Sequence, residues 1–262
     1  LGEVKMVTYD ERVTAQNLAN LAQMYSEVNK EKRDFLGAVG AALFERIKNA
    51  KLTEEIKILR LIYDQLQKGQ ILVWVRDKEI EKEVLERGWG GDLGNYGGDY
   101  LYIVESNLGA NKANCCVTRA VTQSIDGNKE RVSISWENTS EFSDPKPPVF
   151  WGGNYINYVR VIVPAAAEIT DAEKYDIETR GRFKIVGFWV TVPAGGTNMA
   201  EISYTSPYPS PIIGEGTKGR GIYEVLVRRQ PGIESFPYKL VVDGKVVVSD
   251  TIDRDKEYTW TR

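Results

Sequence analysis

The sequence of 262 residues contains no histidine. This absence excludes Ser-His-Asp and Cys-His catalysis within the chain, and it excludes any zinc site that uses an imidazole ligand. Catalytic chemistry here would have to use carboxylates, lysine, arginine, tyrosine or backbone groups.

Long apolar runs and blocks of like charge are also missing. No stretch approaches the eighteen or so apolar residues that suggest a membrane span, and no signal peptide is present. A net charge of −3 without a basic patch argues against nucleic-acid binding. The chain begins at Leu1 rather than at methionine, so we expect a segment upstream, which would carry any membrane anchor.

Only two cysteines are present, and they are neighbours, Cys115 and Cys116. In a strand their side chains would point to opposite faces, where each behaves as a small apolar residue. A disulfide between them, or a reactive thiol, is the alternative. Neighbouring cysteines cannot easily bind one metal ion, and no other residue spacing predicts a metal or a cofactor.

Residues 1–90 show helical periodicity with short strands between the helices. The apolar run at residues 71–75, ILVWV, predicts a buried strand, and Asp77 predicts the start of a short helix that ends at Gly88. Apolar side chains spaced by three and four residues predict three earlier helices with one buried face each. Those faces comprise Leu18, Leu21, Ala22 and Tyr25; Leu36, Val39, Leu43 and Ile47; and Ile56, Leu59, Ile62 and Leu66.

After Gly88 the hydrophobic period changes to two. Alternating segments such as DYLYIVES, ERVSISWEN and YVRVIVP are separated by Pro and Gly, and Asp126-Gly127 marks a hairpin turn. This pattern predicts an antiparallel β-sandwich of the immunoglobulin type over residues 91–262. The expected fold class is therefore α+β, an α/β portion followed by the sandwich, with a possible further boundary within residues 141–154.

A glycine-rich stretch at residues 88–116 invites comparison with phosphate-binding loops. The P-loop pattern fails because Ala113 follows Lys112, and the dinucleotide pattern fails because Leu93 occupies the third glycine position. We therefore expect these glycines to serve tight turns. A ligand-contacting loop is the alternative.

Several motifs together resemble a known bacterial family. The segments VTAQNL, KRDFLGAVGAALFERI, ESNLGANKANCCVTRAV, SWENTS, GGNYINYVRVIVP and YEVLVRRQPG, in this order, resemble the family catalogued as domain of unknown function 4012. The resemblance covers almost the whole chain. It implies a protein anchored to the cytoplasmic membrane at its N-terminus, with its bulk outside the cytoplasm and no established activity.

The N-terminal part is also distantly similar to the LytR-CpsA-Psr phosphotransferases, which move lipid-linked glycopolymers onto the cell wall. Residues 1–90 resemble the C-terminal half of such a domain. In that fold an arginine at a place comparable to Arg33 helps to hold a pyrophosphate, and Arg suits bidentate phosphate contacts. A solvated helix start is the alternative for Arg33, and the other motifs of that family would lie upstream of Leu1.

The remaining candidate ligand-binding residues lie in the β-rich part. Amide and cationic side chains in the family-like segment could bind an anion or a sugar, or could simply fix an irregular turn. Aromatic side chains further on could stack on sugar rings, or could anchor the core. These candidates are Asn107, Asn111, Lys112, Arg119, Trp151, Tyr155, Tyr158 and Arg160.

Taken together, these features predict an extracytoplasmic envelope protein that acts as a non-enzymatic binding or structural module. Its expected partner is a cell-wall glycan or another envelope protein. The alternatives are a glycopolymer phosphotransferase, which would need Mg²⁺ and a catalytic half upstream, and an adhesin or surface-layer-like component.

Overall fold

The computed structural model describes residues 2–6, 8–29, 32–147, 150–206, 208 and 222–261. By compactness the chain divides into two units, residues 1–64 with 145–150 and residues 65–144 with 151–262. The boundaries expected near residue 90 and within residues 141–154 stay predictions, because compactness alone does not show which segments fold independently.

The first unit combines a β-hairpin with helices. Strands β1 (Glu3–Met6) and β2 (Glu11–Thr14) pair antiparallel and are followed by α1 (Leu18–Gln23), a π-helical turn (Met24–Val28) and α2 (Lys32–Lys48). Its small core contains Met6, Val13, Tyr25, Phe35 and Val39. The helices of this unit were predicted correctly. Helix α2, however, buries Phe35 in place of Leu36, which is 40% exposed. The reason is that the Phe35 ring stacks on the Tyr25 ring, with 4.3 Å between the ring centroids.

Helix α3 (Leu52–Gln67) forms where expected, but the prediction that its apolar face is buried was wrong. None of its side chains is buried in the described part of the chain, and Ile56, Leu59 and Ile62 are 43%, 65% and 41% exposed. Periodicity shows that one side of a helix is apolar, but it does not show that another element covers that side.

The predicted strand at residues 71–75 does not form. The segment is irregular and partly or fully exposed, and it is tied down by isolated hydrogen bonds such as Val73 N–H to the Trp89 carbonyl at 2.9 Å. The helix that follows, α4 (Lys78–Glu86), was predicted correctly. The Asp77 carboxylate caps it by accepting from the Glu79 and Ile80 amides at 3.0 and 3.2 Å.

The second unit is dominated by two six-stranded sheets, so the chain is a mixed α+β protein with its helices towards the N-terminus. The strands are β3 (Asp99–Asn107), β4 (Val117–Asp126), β5 (Lys129–Asn138), β6 (Tyr155–Pro164), β7 (Glu168–Ile169), β8 (Asp176–Arg180), β9 (Phe183–Val192), β10 (Thr197–Thr205), β11 (Ile222–Arg228), β12 (Phe236–Val242), β13 (Lys245–Ile252) and β14 (Lys256–Thr261). The first sheet has the order β13-β12-β4-β5-β10-β7, and the second has the order β14-β11-β3-β6-β9-β8.

The sheets are not purely antiparallel, which corrects the prediction. Strand β11 runs parallel to β3, with Val225 opposite Asp99, and β12 runs parallel to β4, with Tyr238 opposite Val121. Turn signals in a sequence indicate which neighbouring strands form hairpins, such as β4 with β5, but they carry no information about pairings between distant strands.

One hydrophobic core lies between the sheets and draws buried side chains from both. It is rich in large aromatic residues, including the fully buried Trp136, Tyr155, Tyr204, Tyr223 and Tyr238. A buried tyrosine hydroxyl or indole N–H needs a hydrogen-bond partner. The core therefore has to contain polar acceptors, and these acceptors define the site described next.

Candidate functional site

The structure divides the candidate residues between two places on the sandwich. Tyr158 and Arg160 lie on the outer face of the second sheet, whereas most of the others lie at one end of the sandwich, where β3 ends and β4 and β6 begin. We call this end the asparagine end, and it contains Asn107, Asn111, Lys112, Arg119 and Tyr155. Trp151 also lies here, because the next residue, Gly152, forms a β-bridge with Lys112. The side chain of Arg33 lies outside the described residues, so the pyrophosphate site stays a prediction.

The asparagines at this end hold the loop together. The Asn107 amide donates to the side-chain oxygens of Asn111 and Asn114 at 3.0 and 2.8 Å. The Asn111 amide donates to the Asn154 carbonyl at 2.7 Å and passes close to Gly153, where a Cβ would lie 2.6 Å from it. These contacts match the structural alternative for Asn107 and Asn111, that they fix an irregular turn.

Cys115 and Cys116 form a disulfide with each other. They lie in a single 3₁₀ turn (Ala113–Cys116) rather than in strand β4, so the interpretation as two apolar strand residues was wrong and the disulfide alternative is correct. A disulfide between neighbours closes a small ring that includes the peptide bond between them. It therefore restricts the backbone directly before β4.

Glu105 is the acceptor for a buried polar cluster beneath this end. Its carboxylate accepts from Arg119 Nη1 at 2.7 Å, from Trp136 Nε1 at 3.0 Å and from the Tyr155 hydroxyl at 2.7 Å. Burial, followed by the nearby Glu105 charge, raises the pKa of Tyr155, so its hydroxyl stays protonated and donates. Tyr155 is thus a core anchor and not a sugar-stacking surface.

Arg119 and Glu105 form a buried ion pair in which both side chains are 3% exposed. The Arg119 guanidinium also lies over the Phe236 ring, 4.2 Å from its centroid. A buried pair of this kind is tolerated only when its remaining polar atoms find partners. Glu105 meets this condition through Trp136 and Tyr155.

A second buried cluster, which the sequence interpretation missed, surrounds Asp99 and Glu130, here called the acid pair. Asp99 Oδ2 accepts from the Tyr223 hydroxyl and from Gln123 Nε2. Gln123 Nε2 also reaches Glu130 Oε2 at 2.8 Å, and the Tyr204 hydroxyl donates to that oxygen at 3.0 Å. Burial raises the pKa of both carboxyl groups, and for Glu130 the Asp99 charge raises it further.

Aromatic and charged side chains, some exposed and some half-buried, meet on the outer face of the second sheet. Tyr158 and Trp189 are directly opposite each other on β6 and β9, with their rings edge to face at 5.3 Å. The Tyr158 hydroxyl donates to Asp176 Oδ2 at 2.9 Å, and Arg160 Nη2 donates to Ser106 Oγ at 2.8 Å. We call Tyr158, Arg160, Asp176 and Trp189 the outer-face platform.

Glycine at position 187 makes this arrangement possible. A Cβ there would lie 2.2 Å from the Tyr158 hydroxyl oxygen, so the absence of a side chain lets the tyrosine ring cross β9 and reach Asp176 on β8. Trp189 then stands beside the ring and is 60% exposed. The sequence of this strand, FKIVGFWVTV, indicated which positions face outward, because Gly187, Trp189 and Thr191 alternate with the buried Val186, Val190 and Val192.

The first unit contains a cavity of about 540 Å³ that is lined mainly by apolar side chains. Val4, Val13, Leu43 and Leu61 contribute to its wall, and Arg46 and Glu54 lie beside them, 3.6 Å apart as an ion pair. The candidate residues of the β-rich part do not line it.

Among the helices of the described part of the chain, none is both long and apolar enough to span a bilayer. Comparison with protein-family models, with curated proteins and with solved structures finds no significant match to this chain.

Proposed function

We propose that this protein is a non-enzymatic glycan-binding module of the bacterial cell envelope and that the outer-face platform is its binding surface. The observation that carries the proposal is the exposed Trp189, which Tyr158 supports from the side. The Trp189 ring therefore offers a large, flat apolar surface that a ligand can cover.

The chemistry of the platform suits a sugar ring. The apolar face of a pyranose can stack on the flat indole of Trp189. Asp176 and Arg160 lie on either side of Gly187 in neighbouring strands, and they supply a carboxylate acceptor and guanidinium donors for ring hydroxyls.

The location in the envelope rests on the family-like motifs of the sequence, which also suggest an anchored, extracytoplasmic protein. An immunoglobulin-like relationship of the sandwich is likewise a proposal. Successive strands that pass between the two sheets support it, whereas the two parallel pairings depart from it.

Cosedimentation of the protein with purified, insoluble cell-wall glycan tests the proposal. Trp189→Ala removes the exposed ring of the platform and should raise the apparent dissociation constant about tenfold, which corresponds to about 1.4 kcal/mol. Trp74→Ala is the matched control, because Trp74 is also exposed, 73% against 60% for Trp189, and lies outside the sheets.

Equal loss of binding in both variants, or no binding by the unaltered protein, would contradict the proposal. Binding to an envelope protein but not to glycan would favour the adhesin alternative. Turnover of a lipid-pyrophosphate glycopolymer by the purified chain would replace the binding module with the transferase.

A further inference from the structure

The disulfide between Cys115 and Cys116 lies at the surface of the asparagine end. Cys115 is exposed and Cys116 is half-buried, in the single 3₁₀ turn Ala113–Cys116 that leads into β4. A reductant in solution can therefore approach the bond while the protein stays folded. The chain has no third cysteine, so any reductant or oxidant of this bond must be another molecule. This end is separate from the outer-face platform, so the inference drawn here is independent of the proposed glycan binding.

This disulfide differs from one that joins distant parts of a fold. A cross-link stabilises a protein mainly by restricting the unfolded chain, and the effect grows with the length of the loop that it closes. Here the loop consists of the cysteines alone, because they are neighbours in the sequence. We therefore expect the bond to add little to the global free energy of unfolding and to act on the local backbone.

The turn that the disulfide closes connects two parts of the asparagine end. On one side, Asn114 Oδ1 accepts from the Asn107 side-chain amide at 2.8 Å. On the other side, the Cys116 carbonyl accepts from the Thr139 backbone amide at 2.8 Å and from the Thr139 hydroxyl at 3.0 Å. Ala113 is fully buried in the core between the sheets. Packing thus fixes the start of the turn, whereas the disulfide and the hydrogen bonds hold the rest of it.

We propose that the Cys115–Cys116 disulfide is a reversible redox switch that sets the order of this turn, and that its partner is a dithiol reductant. A thiolate of the reductant attacks the Cys115 sulfur, the S–S bond breaks, and Cys116 leaves as a thiolate that takes a proton from water. The second thiol of the reductant then displaces the Cys115 thiolate from the mixed disulfide. The protein has then gained two electrons and two protons, and the dithiol has become a cyclic disulfide.

Reduction opens the ring and frees the backbone angles of both cysteines. The turn then depends on its hydrogen bonds alone, so it opens more often, and the Thr139 amide loses its acceptor each time. Asn138 provides an internal comparison. Its backbone amide donates to the Gly196 carbonyl at 2.9 Å and not to the turn.

Hydrogen exchange of single amides, followed by NMR before and after treatment with dithiothreitol under native conditions, tests the proposal. Thiol titration should find no free thiol before treatment and two per chain after it. The Thr139 amide should then exchange about tenfold faster or more, whereas the Asn138 amide should keep its rate. Replacing dithiothreitol by an excess of glutathione disulfide should restore slow exchange at Thr139.

The double variant Cys115→Ser, Cys116→Ser cannot form the bond and should show fast exchange at Thr139 with and without dithiothreitol. The proposal would be overturned if no thiol appeared without denaturant, or if Thr139 exchanged at the same rate in both redox states. Equal acceleration at Asn138 would also overturn it, because the bond would then support the whole sandwich rather than one turn. The comparison of the oxidised and reduced protein needs no variant, so a folding defect in the serine variant would not prevent the test.

Discussion

Replacing Glu130 by glutamine should change how the stability of the sandwich depends on pH. Glu130 and Asp99 are 2% and 0% exposed, and the side chains that donate to them, from Gln123, Tyr204 and Tyr223, are neutral. Two buried carboxylates without a cation cannot both carry a charge at low cost. The acid pair is therefore expected to keep one proton that the unfolded chain has released.

The sign of the effect follows from the direction of the shifts. Burial raises the pKa of Asp99 and Glu130 in the folded protein, so the native state binds more protons than the unfolded state. The free energy of unfolding then falls as the pH rises, from the unfolded glutamate pKa of about 4.3 up to the folded value. One retained proton lowers the free energy of unfolding by about 1.4 kcal/mol for each pH unit between these two pKa values.

The glutamine variant abolishes this proton uptake, because its amide does not titrate and can donate a hydrogen bond to Asp99. Urea unfolding across this pH range should therefore show the variant gaining about 1.4 kcal/mol per pH unit relative to the unaltered protein. Glu137→Gln, at an exposed position of the same strand, controls for the loss of a carboxylate. A constant difference between the protein and Glu130→Gln at all pH values would refute the reasoning.

Three further changes test individual contacts. Tyr155→Phe removes a hydrogen-bond donor to the buried Glu105 and should lower the free energy of unfolding by about 1.5–3 kcal/mol in urea titrations. A loss below about 0.5 kcal/mol would contradict the role of Glu105 as the acceptor of the buried cluster. Asp77→Ala removes the cap of α4 and should reduce helix protection in hydrogen exchange by about 1 kcal/mol, whereas unchanged protection would show that the cap is unimportant. Gly187→Ala should displace the Tyr158 ring and weaken glycan cosedimentation with little loss of stability, and unaltered binding would count against the platform.

Strand positions could be predicted well because alternation reports directly on burial. The pattern also contained the buried acids. Asp99 and Glu105 have the same parity as the buried Leu101 and Ile103 along β3, and Glu130 has the same parity as Val132 on β5. An acidic residue at a core position signals a buried polar cluster, and this signal was available in the sequence.

Other features depended on distant parts of the chain. Whether residues 71–75 or the apolar side of α3 become buried depends on which element covers them, and no local pattern specifies that. The contact of the Arg119 guanidinium with the Phe236 ring likewise joins β4 to β12. Their proximity follows from the parallel pairing of β4 and β12, which hairpin signals do not predict.

The two parallel pairings also determine when the protein can fold during synthesis. Tyr223 and Asp99, which share a hydrogen bond, are 124 residues apart, and Tyr238 and Gln123 are 115 residues apart. Until β11 and β12 have been made, β3 and β4 are open sheet edges, which readily pair with other chains. A nascent chain of this protein therefore exposes two aggregation-prone edges until late in its synthesis, and its core closes slowly because such distant contacts must form first.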